Sequence, residues 1–153
     1  MGAPVNSAEP PPPQDAAAET VDALLEAARY DDIDDLMSIA SAGVSLDSKD
    51  SEGRTALHMA SANGHLDIVD YLIRNGADVN AYNLEKNTPL HWASLNGHIE
   101  VVKRLILSGA DISSLNSHEK SPVDEAVSRG KMDVIDAINE AAAQVDLART
   151  QVS

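Results

Sequence analysis

The chain has 153 residues, of which 25 are acidic and 11 are basic, so its formal net charge is −14. This excess of negative charge opposes binding to nucleic acid, because proteins hold phosphate backbones mainly through lysine and arginine. The sequence contains no cysteine, which excludes disulfides and thiol catalysis and favours the reducing cytoplasm or nucleus. No apolar run reaches the length of about 18 residues that a transmembrane helix needs, so no membrane contact is expected. The length fits one domain, which we expect to be a monomer.

The first 16 residues are rich in proline, since they hold five of the seven prolines, four of them consecutive at positions 10–13. This composition predicts a disordered leader with polyproline II character over residues 1–16. A proline run of this kind is compatible with an SH3 or WW ligand. No basic residue flanks the run, however, which favours a solvated spacer.

Residues 50–82 and 83–115 are two successive copies of one 33-residue pattern. The copies share residues at a constant offset, namely Thr55 and Thr88, His58 and His91, Gly64 and Gly97, and Gly76 and Gly109. Thr88 can cap a short helix whose first turn holds Pro89, and Gly97 can end that helix with positive φ. Apolar residues at 99, 102, 105 and 106 then predict a second helix. Each copy is therefore predicted to be a pair of helices.

Incomplete copies of the pattern flank the two full ones, at residues 17–49 and 116–149. They are predicted to be capping repeats, each with one face open to solvent. The last helix is expected to run to about Arg149, and residues 150–153 are expected to be a frayed tail. At the tip of the predicted connecting loop, Gly53 is replaced by Lys86 and then by Glu119. If this position needs positive φ, the later two turns should be strained or differently shaped.

A fixed period of 33 with Thr-Pro-Leu-His at 88–91 and Gly-Ala-Asp at 76–78 and 109–111 resembles the ankyrin repeat. The resemblance implies an all-α ankyrin-repeat solenoid of helix-turn-helix pairs with β-hairpin connecting loops. It implies four repeats in residues 17–149, two full and two capping. It also implies a non-enzymatic module whose partner is a protein.

The residues themselves show no arrangement typical of catalysis or metal binding. His58 and His91, like His65 and His98, recur at the repeat period, which is typical of structural hydrogen bonding. Without cysteine or closely spaced histidines, no metal site is expected. The glycines are dispersed rather than gathered in a phosphate-binding loop, and no nucleophile with a base and an orienting group is indicated. We therefore expect no enzyme activity and no cofactor.

By resemblance to ankyrin proteins, a partner is expected to bind the concave side, formed by the hairpin tips and the first helix of each repeat. The predicted partner-binding residues on that side are Tyr30, Glu52, Arg54, Tyr82, Leu84, Glu85, Asn87, Trp92, Leu95, Asn96, Leu115 and His118. The centre of this set is apolar and aromatic, which is typical of interface hot spots. Trp92 has a second interpretation, because a tryptophan there can instead fill a gap between repeats.

Four aspartates, Asp31, Asp32, Asp34 and Asp35, crowd the predicted turn between the helices of the first repeat. One interpretation is helix capping and solubility, and the other is an electrostatic contact with a basic client.

The sequence motifs at residues 56–65 and 90–97 also look like those of small, acidic fungal ankyrin proteins. Those proteins are dedicated chaperones of a basic small-subunit ribosomal protein. That group has a similar layout of a short leader, few repeats and an acidic balance. This likeness favours an escort of a basic client. The alternative is a regulatory adaptor or scaffold that binds a signalling enzyme or transcription factor through the concave surface. An acidic escort should lose its client steeply as salt rises, whereas an apolar adaptor site should not.

Overall fold

The computed structural model describes the backbone of residues 14–152 and the side chains of residues 17–149. This part of the chain contains eight helices and no β-strand. The helices are α1 (Gln14–Arg29), α2 (Ile33–Ser41), α3 (Ala56–Ala62), α4 (Leu66–Arg74), α5 (Pro89–Leu95), α6 (Ile99–Leu107), α7 (Pro122–Ser128) and α8 (Met132–Val152). They form four successive pairs, which confirms the predicted all-α solenoid. The connecting loops turn back on themselves as predicted hairpins would, but without β-strands.

We call the first helix of each pair the inner helix and the second the outer helix. In the last three repeats the inner helix begins with a capping box, in which the capping residue and the third helical residue each accept a hydrogen bond from the backbone N–H of the other. At α3, Thr55 Oγ1 accepts a hydrogen bond from the His58 backbone N–H at 3.3 Å, and His58 Nδ1 accepts one from the Thr55 N–H at 3.1 Å. Threonine and serine begin α5 and α7 in the same way, each followed by proline in the first turn. The sequence therefore sets where these helices start.

The turn from inner to outer helix needs a left-handed residue in every repeat. Gly64, Gly97 and Gly130 have φ between 68 and 77°, and Asp31 takes the same place in the first repeat with φ 62°. The glycine is also needed for space at one of these turns. A Cβ on Gly64 would lie 2.6 Å from Nδ1 of His98 in the next repeat.

The core runs continuously along the solenoid, because each repeat packs on the next. Inner helix α3 lies between α1 and α5, α5 packs on α7, and the outer helix α8 packs on α6. Its leucines recur at the repeat period, and the fully buried ones include Leu24, Leu57, Leu90, Leu72 and Leu105. Small alanines at equivalent positions, such as Ala60 and Ala93, let the helices approach closely. The core is thus aliphatic, as the near absence of aromatic residues requires.

Two helix bounds differ from the sequence prediction. α1 begins at Gln14, before the predicted end of the leader at residue 16, because residues 14–18 are mostly good helix formers. α8 runs to Val152, beyond the predicted end near Arg149, because residues 131–152 contain no glycine or proline that would end it. The rest of the predicted leader, residues 1–13, and the last residue of the predicted tail lie outside the described residues.

Candidate protein-binding surface

The tips of the three connecting loops are fixed by one repeated interaction. A side-chain oxygen at the start of each tip accepts hydrogen bonds from two backbone N–H groups of the same tip. Asp50 Oδ1 accepts from residues 52 and 54, both at 2.9 Å, and Asn83 Oδ1 accepts from residues 85 and 87, both at 2.9 Å. Asn116 Oδ1 accepts from residues 118 and 120 at 2.9 and 3.1 Å. These bonds hold all three tips in the same shape.

The shared shape requires positive φ at the tip even where glycine is missing. Gly53 has φ 78°, and Lys86 and Glu119 adopt 64° and 59° at the same position. The two open possibilities are therefore decided in favour of strain, because the later turns keep the geometry of the first. Each non-glycine residue held in this region costs about 1 kcal/mol.

Neighbouring tips also bind each other. The Leu84 N–H donates to the Glu52 carbonyl at 3.0 Å, and the Ser117 N–H donates to the Glu85 carbonyl at 2.9 Å. The tips of the second, third and fourth repeats therefore form one connected row along the edge of the solenoid. We call this row the tip ladder.

Two buried histidines join inner helices α3 and α5 to the tip of the following repeat. His58 Nε2 lies 2.8 Å from the Asn87 carbonyl, and His91 Nε2 lies 2.9 Å from the Lys120 carbonyl. Since Nδ1 of each ring accepts a backbone N–H, Nε2 must be the donor. Burial lowers the pKa of His58 to about 4 and also lowers the pKa of His91, so both rings are neutral at pH 7. His65 and His98 bond the carbonyl groups of Arg29 and Ala62, which confirms that the periodic histidines are structural.

Several predicted site residues are strongly exposed. Tyr82, Leu84 and Leu115, which we call the tip patch, are exposed by 57%, 74% and 53%. Tyr82 and Leu115 are equivalent in successive repeats, and Leu84 lies in the tip between them. Tyr30 is exposed by 68% at the end of α1, and Glu52, Glu85, Asn96 and His118 are also exposed. Their role in binding stays a prediction.

Trp92 and Leu95 are only half-buried, on inner helix α5. The indole ring meets the His58 ring edge-on, with 5.3 Å between the ring centroids and 69° between the planes. Trp92 therefore fills the gap between the second and third repeats while part of its surface remains accessible. The contact supports the gap-filling interpretation of Trp92, and its role in an interface stays a prediction.

Two predicted site residues have structural roles at the tips. Asn87 is only 8% exposed, and its Oδ1 accepts a hydrogen bond from Asn116 Nδ2 at 2.9 Å. Asn87 therefore does not belong to the exposed surface, because the amide of the next repeat holds it inward. Arg54 is half-buried and pairs with Asp50 through two contacts of 2.7 Å. Burial would raise the pKa of Asp50, but hydrogen bonds from Arg54 and Glu52 outweigh it and lower that pKa.

A family model described as ankyrin repeats (3 copies) matches residues 24–116 and 85–148, most of the chain. The chain belongs to the ankyrin repeat family. Ankyrin repeats are protein–protein interaction modules without enzymatic activity, so the partner of this domain is a protein.

Individual relatives share only part of this ankyrin domain. Over 55 residues the chain is 46% identical to the mitochondrial liver isoform of glutaminase from Rattus norvegicus, covering 36% of the chain and 9% of that protein. Over 58 residues it is 38% identical to acyl-CoA-binding domain-containing protein 2 of Arabidopsis thaliana, covering 38% of the chain and 16% of that protein. Potassium channel AKT2/3 of Arabidopsis thaliana is also 38% identical over 58 residues, which are 38% of the chain and 7% of the channel. The chain thus spans a small fraction of these relatives, and their names indicate no one activity for it.

The charge of the ankyrin domain is concentrated at its N-terminal end. Residues 17–49 hold eight acidic residues and two basic ones. Asp32 caps α2, since its Oδ1 accepts the Asp35 N–H at 3.0 Å, so capping explains that residue. Asp34 and Asp35 lie exposed in the first turn of α2, where they favour the helix dipole and also face solvent. Capping therefore accounts for part of this acidic cluster only.

Other kinds of site find little support in the described part of the chain. Among its side chains, no three His, Cys, Asp or Glu residues are grouped closely enough to hold a metal ion. Over residues 14–152, no helix combines the length and apolar composition that crossing a bilayer would require.

Proposed function

We propose that this ankyrin domain escorts a basic client protein in the cytoplasm or nucleus, and that a ribosomal protein before its assembly is such a client. The observation that carries the proposal is the tip patch, whose three large side chains are each more than half exposed. Large apolar side chains at the centre of a polar surface are typical of residues that dominate binding energy.

The charge of the chain supports a basic rather than a neutral client. A net charge of −14 attracts a basic protein over distances of about one Debye length and speeds its encounter with the domain. Exposed Glu85 lies in the same tip as Leu84, and exposed Glu52 lies in the neighbouring tip. One client can therefore contact both acidic and apolar side chains. The electrostatic part steers the client, and the apolar part slows its release.

A ribosomal protein fits this chemistry because its binding to RNA demands dense positive charge. Before assembly, that charge would attract any nucleic acid, and an acidic partner competes for it. The resemblance to small acidic ankyrin chaperones of a ribosomal protein supports the same client class.

The test uses two double variants matched in chemistry and exposure. Leu84→Ser with Leu115→Ser removes the leucines of the tip patch, which are exposed by 74% and 53%. Leu107→Ser with Leu147→Ser removes leucines exposed by 50% and 59% on the outer helices. Proteins captured from a cell extract by the wild type and both variants are identified by mass spectrometry. We expect the wild type and the outer-helix variant to recover the same basic proteins, and the tip variant to lose them with thermal stability unchanged.

Salt separates the escort from the adaptor. When the capture is repeated from about 50 mM to about 300 mM salt, the amount of a basic client recovered should fall steeply, because the Debye length shortens. Partners that are not basic and survive high salt would favour the regulatory adaptor instead. Undiminished capture by the tip variant would show that the tip patch is not the binding surface.

A further inference from the structure

The aromatic ring of the tip patch already holds a cation. Lys49 Nζ lies 5.1 Å from the centroid of the Tyr82 ring and donates a hydrogen bond to the Tyr82 carbonyl at 3.0 Å. An ammonium group within about 6 Å of a ring centroid and over its face is in cation–π contact. Lys49, Tyr82 and Leu115 occupy equivalent positions at the 33-residue period, so the contact joins adjacent repeats.

This contact is weakly held. Lys49 is exposed, and none of the salt bridges between described side chains involves it, although acidic residues outnumber basic ones by 25 to 11. An exposed cation–π contact contributes a factor of about two to five to an equilibrium constant. Another cation can therefore displace the ammonium group at small cost. Such a cation can reach Tyr82, because 57% of this residue is open to solvent.

We propose that Lys49 occupies the place that an arginine of the client takes on Tyr82 when the client binds. The inference rests on the proposed function, since it names the client residue that the tip patch recognises. Arginine fits better than lysine because its planar guanidinium stacks on aromatic faces and is more weakly hydrated. The exposed Leu84 offers an apolar surface to the arginine stem.

Two exposed carboxylates lie in the adjacent tips, and that of Glu52 is also 3.8 Å from the Arg54 guanidinium. The Glu52 carbonyl accepts the Leu84 N–H at 3.0 Å, so the first two tips are adjacent, and the side chains of Glu52 and Glu85 are exposed. A guanidinium on Tyr82 would have N–H groups left over for such carboxylates. Lys49 is thus a built-in competitor that lowers the affinity for the client.

Removing the competitor should strengthen binding. In Lys49→Gln the positive charge is lost, while the amide keeps a donor for the Tyr82 carbonyl. We expect affinity for an arginine-rich client to rise about 3- to 10-fold at low salt, from release of the ring and loss of a like charge. In the Tyr82→Leu background the same change should give about 2-fold or less, because only the charge effect remains.

The experiment measures the affinity of a fluorescein-labelled peptide of alternating arginine and leucine by fluorescence anisotropy. The full chain is compared with Lys49→Gln, Tyr82→Leu and the combination of both, after thermal melting shows that each variant is folded. Lys86→Gln is the control, because Lys86 is an exposed tip lysine that loses the same charge. A peptide with lysine for arginine should gain less from Lys49→Gln.

Two results would overturn the inference in distinguishable ways. If Lys49→Gln gains no more than Lys86→Gln, or gains equally in the Tyr82→Leu background, Lys49 does not compete for the ring, although the proposed escort role survives. If the wild-type chain binds the arginine peptide no better than a peptide with glutamate for arginine, the proposed function fails together with the inference.

Discussion

Burial of His58 predicts that the domain loses stability in mild acid. The ring Nδ1 accepts the Thr55 N–H at 3.1 Å, and Nε2 donates to the Asn87 carbonyl at 2.8 Å, so a proton on Nδ1 would break the capping box. Burial lowers the pKa of His58 from 6.5 to about 4. The unfolded chain takes up this proton near its ordinary pKa and the folded chain does not. Stability is therefore fully present above the unfolded pKa and falls as the pH drops through 6.5 towards 4.

The size of the effect follows from the two pKa values. One pKa unit corresponds to about 1.4 kcal/mol, so His58 alone should remove about 2 kcal/mol of unfolding free energy between about pH 7.5 and pH 5. The pKa of His91 is lowered by the same cause, and its contribution has the same sign. Hydrogen bonds also lower the pKa values of Asp50 and Asp124, but these carboxyl groups affect stability near and below their ordinary pKa of 3.8, outside this pH range.

Urea unfolding at a series of pH values measures this slope, at high salt to suppress repulsion within the acidic chain. His58→Gln removes the titrating ring. Between these pH values we expect the variant to lose about 2 kcal/mol less unfolding free energy than the wild type loses. The variant also loses part of a cap, so the comparison concerns slopes and not absolute stability. Equal slopes for wild type and variant would refute a buried neutral His58.

Two further predictions concern single side chains in the repeats. Ser61 Oγ is buried with no hydrogen-bond partner among the described residues, so Ser61→Ala should stabilise by about 1 kcal/mol in urea unfolding. A loss of stability would show that the hydroxyl is bonded. Gly64→Ala should destabilise the domain by about 2 kcal/mol, because the new Cβ would clash with the His98 ring and because alanine is strained at this positive φ. Gly97→Ala should cost about 1 kcal/mol, since Lys131 nearby is flexible, and equal melting temperatures for both variants would contradict this.

The helix pairs were predictable because the residues that define them act locally. Thr88 and His91 cap one helix within three residues, and Gly97 ends it within one turn. A period of 33 then repeats these local signals and fixes the stacking. The outer ends of α1 and α8 were harder to predict, because these two ends lie outside the two full copies of the pattern and lack its capping and glycine signals.

The shape of the later tips could not be decided from the sequence. The missing glycine at Lys86 and Glu119 left a strained or a different turn equally open. The structure shows that Asn83 and Asn116 impose the turn through their side-chain oxygens, whichever residue stands at the tip. Paired hydrogen bonds thus outweigh a backbone preference of about 1 kcal/mol.

The sequence places the candidate binding residues on the tips and inner helices, but it does not give their accessibility. The repeat offset makes Arg54, Asn87 and Lys120 equivalent, yet only Asn87 is buried. A hydrogen bond from Asn116 in the next repeat causes this difference, and such pairwise contacts are not encoded in a period. The contact of Lys49 with Tyr82 likewise depends on side-chain geometry that the offset alone does not give.

The tip ladder changes what kind of object the candidate surface is. Loops usually lose conformational entropy when a partner orders them, and that loss weakens binding. Here the backbone bonds from Leu84 to Glu52 and from Ser117 to Glu85 tie three loops together before any partner arrives. The three tips are therefore preorganised as one connected surface. A substitution that loosens one tip should weaken recognition at its neighbours, even where no contact of theirs has changed.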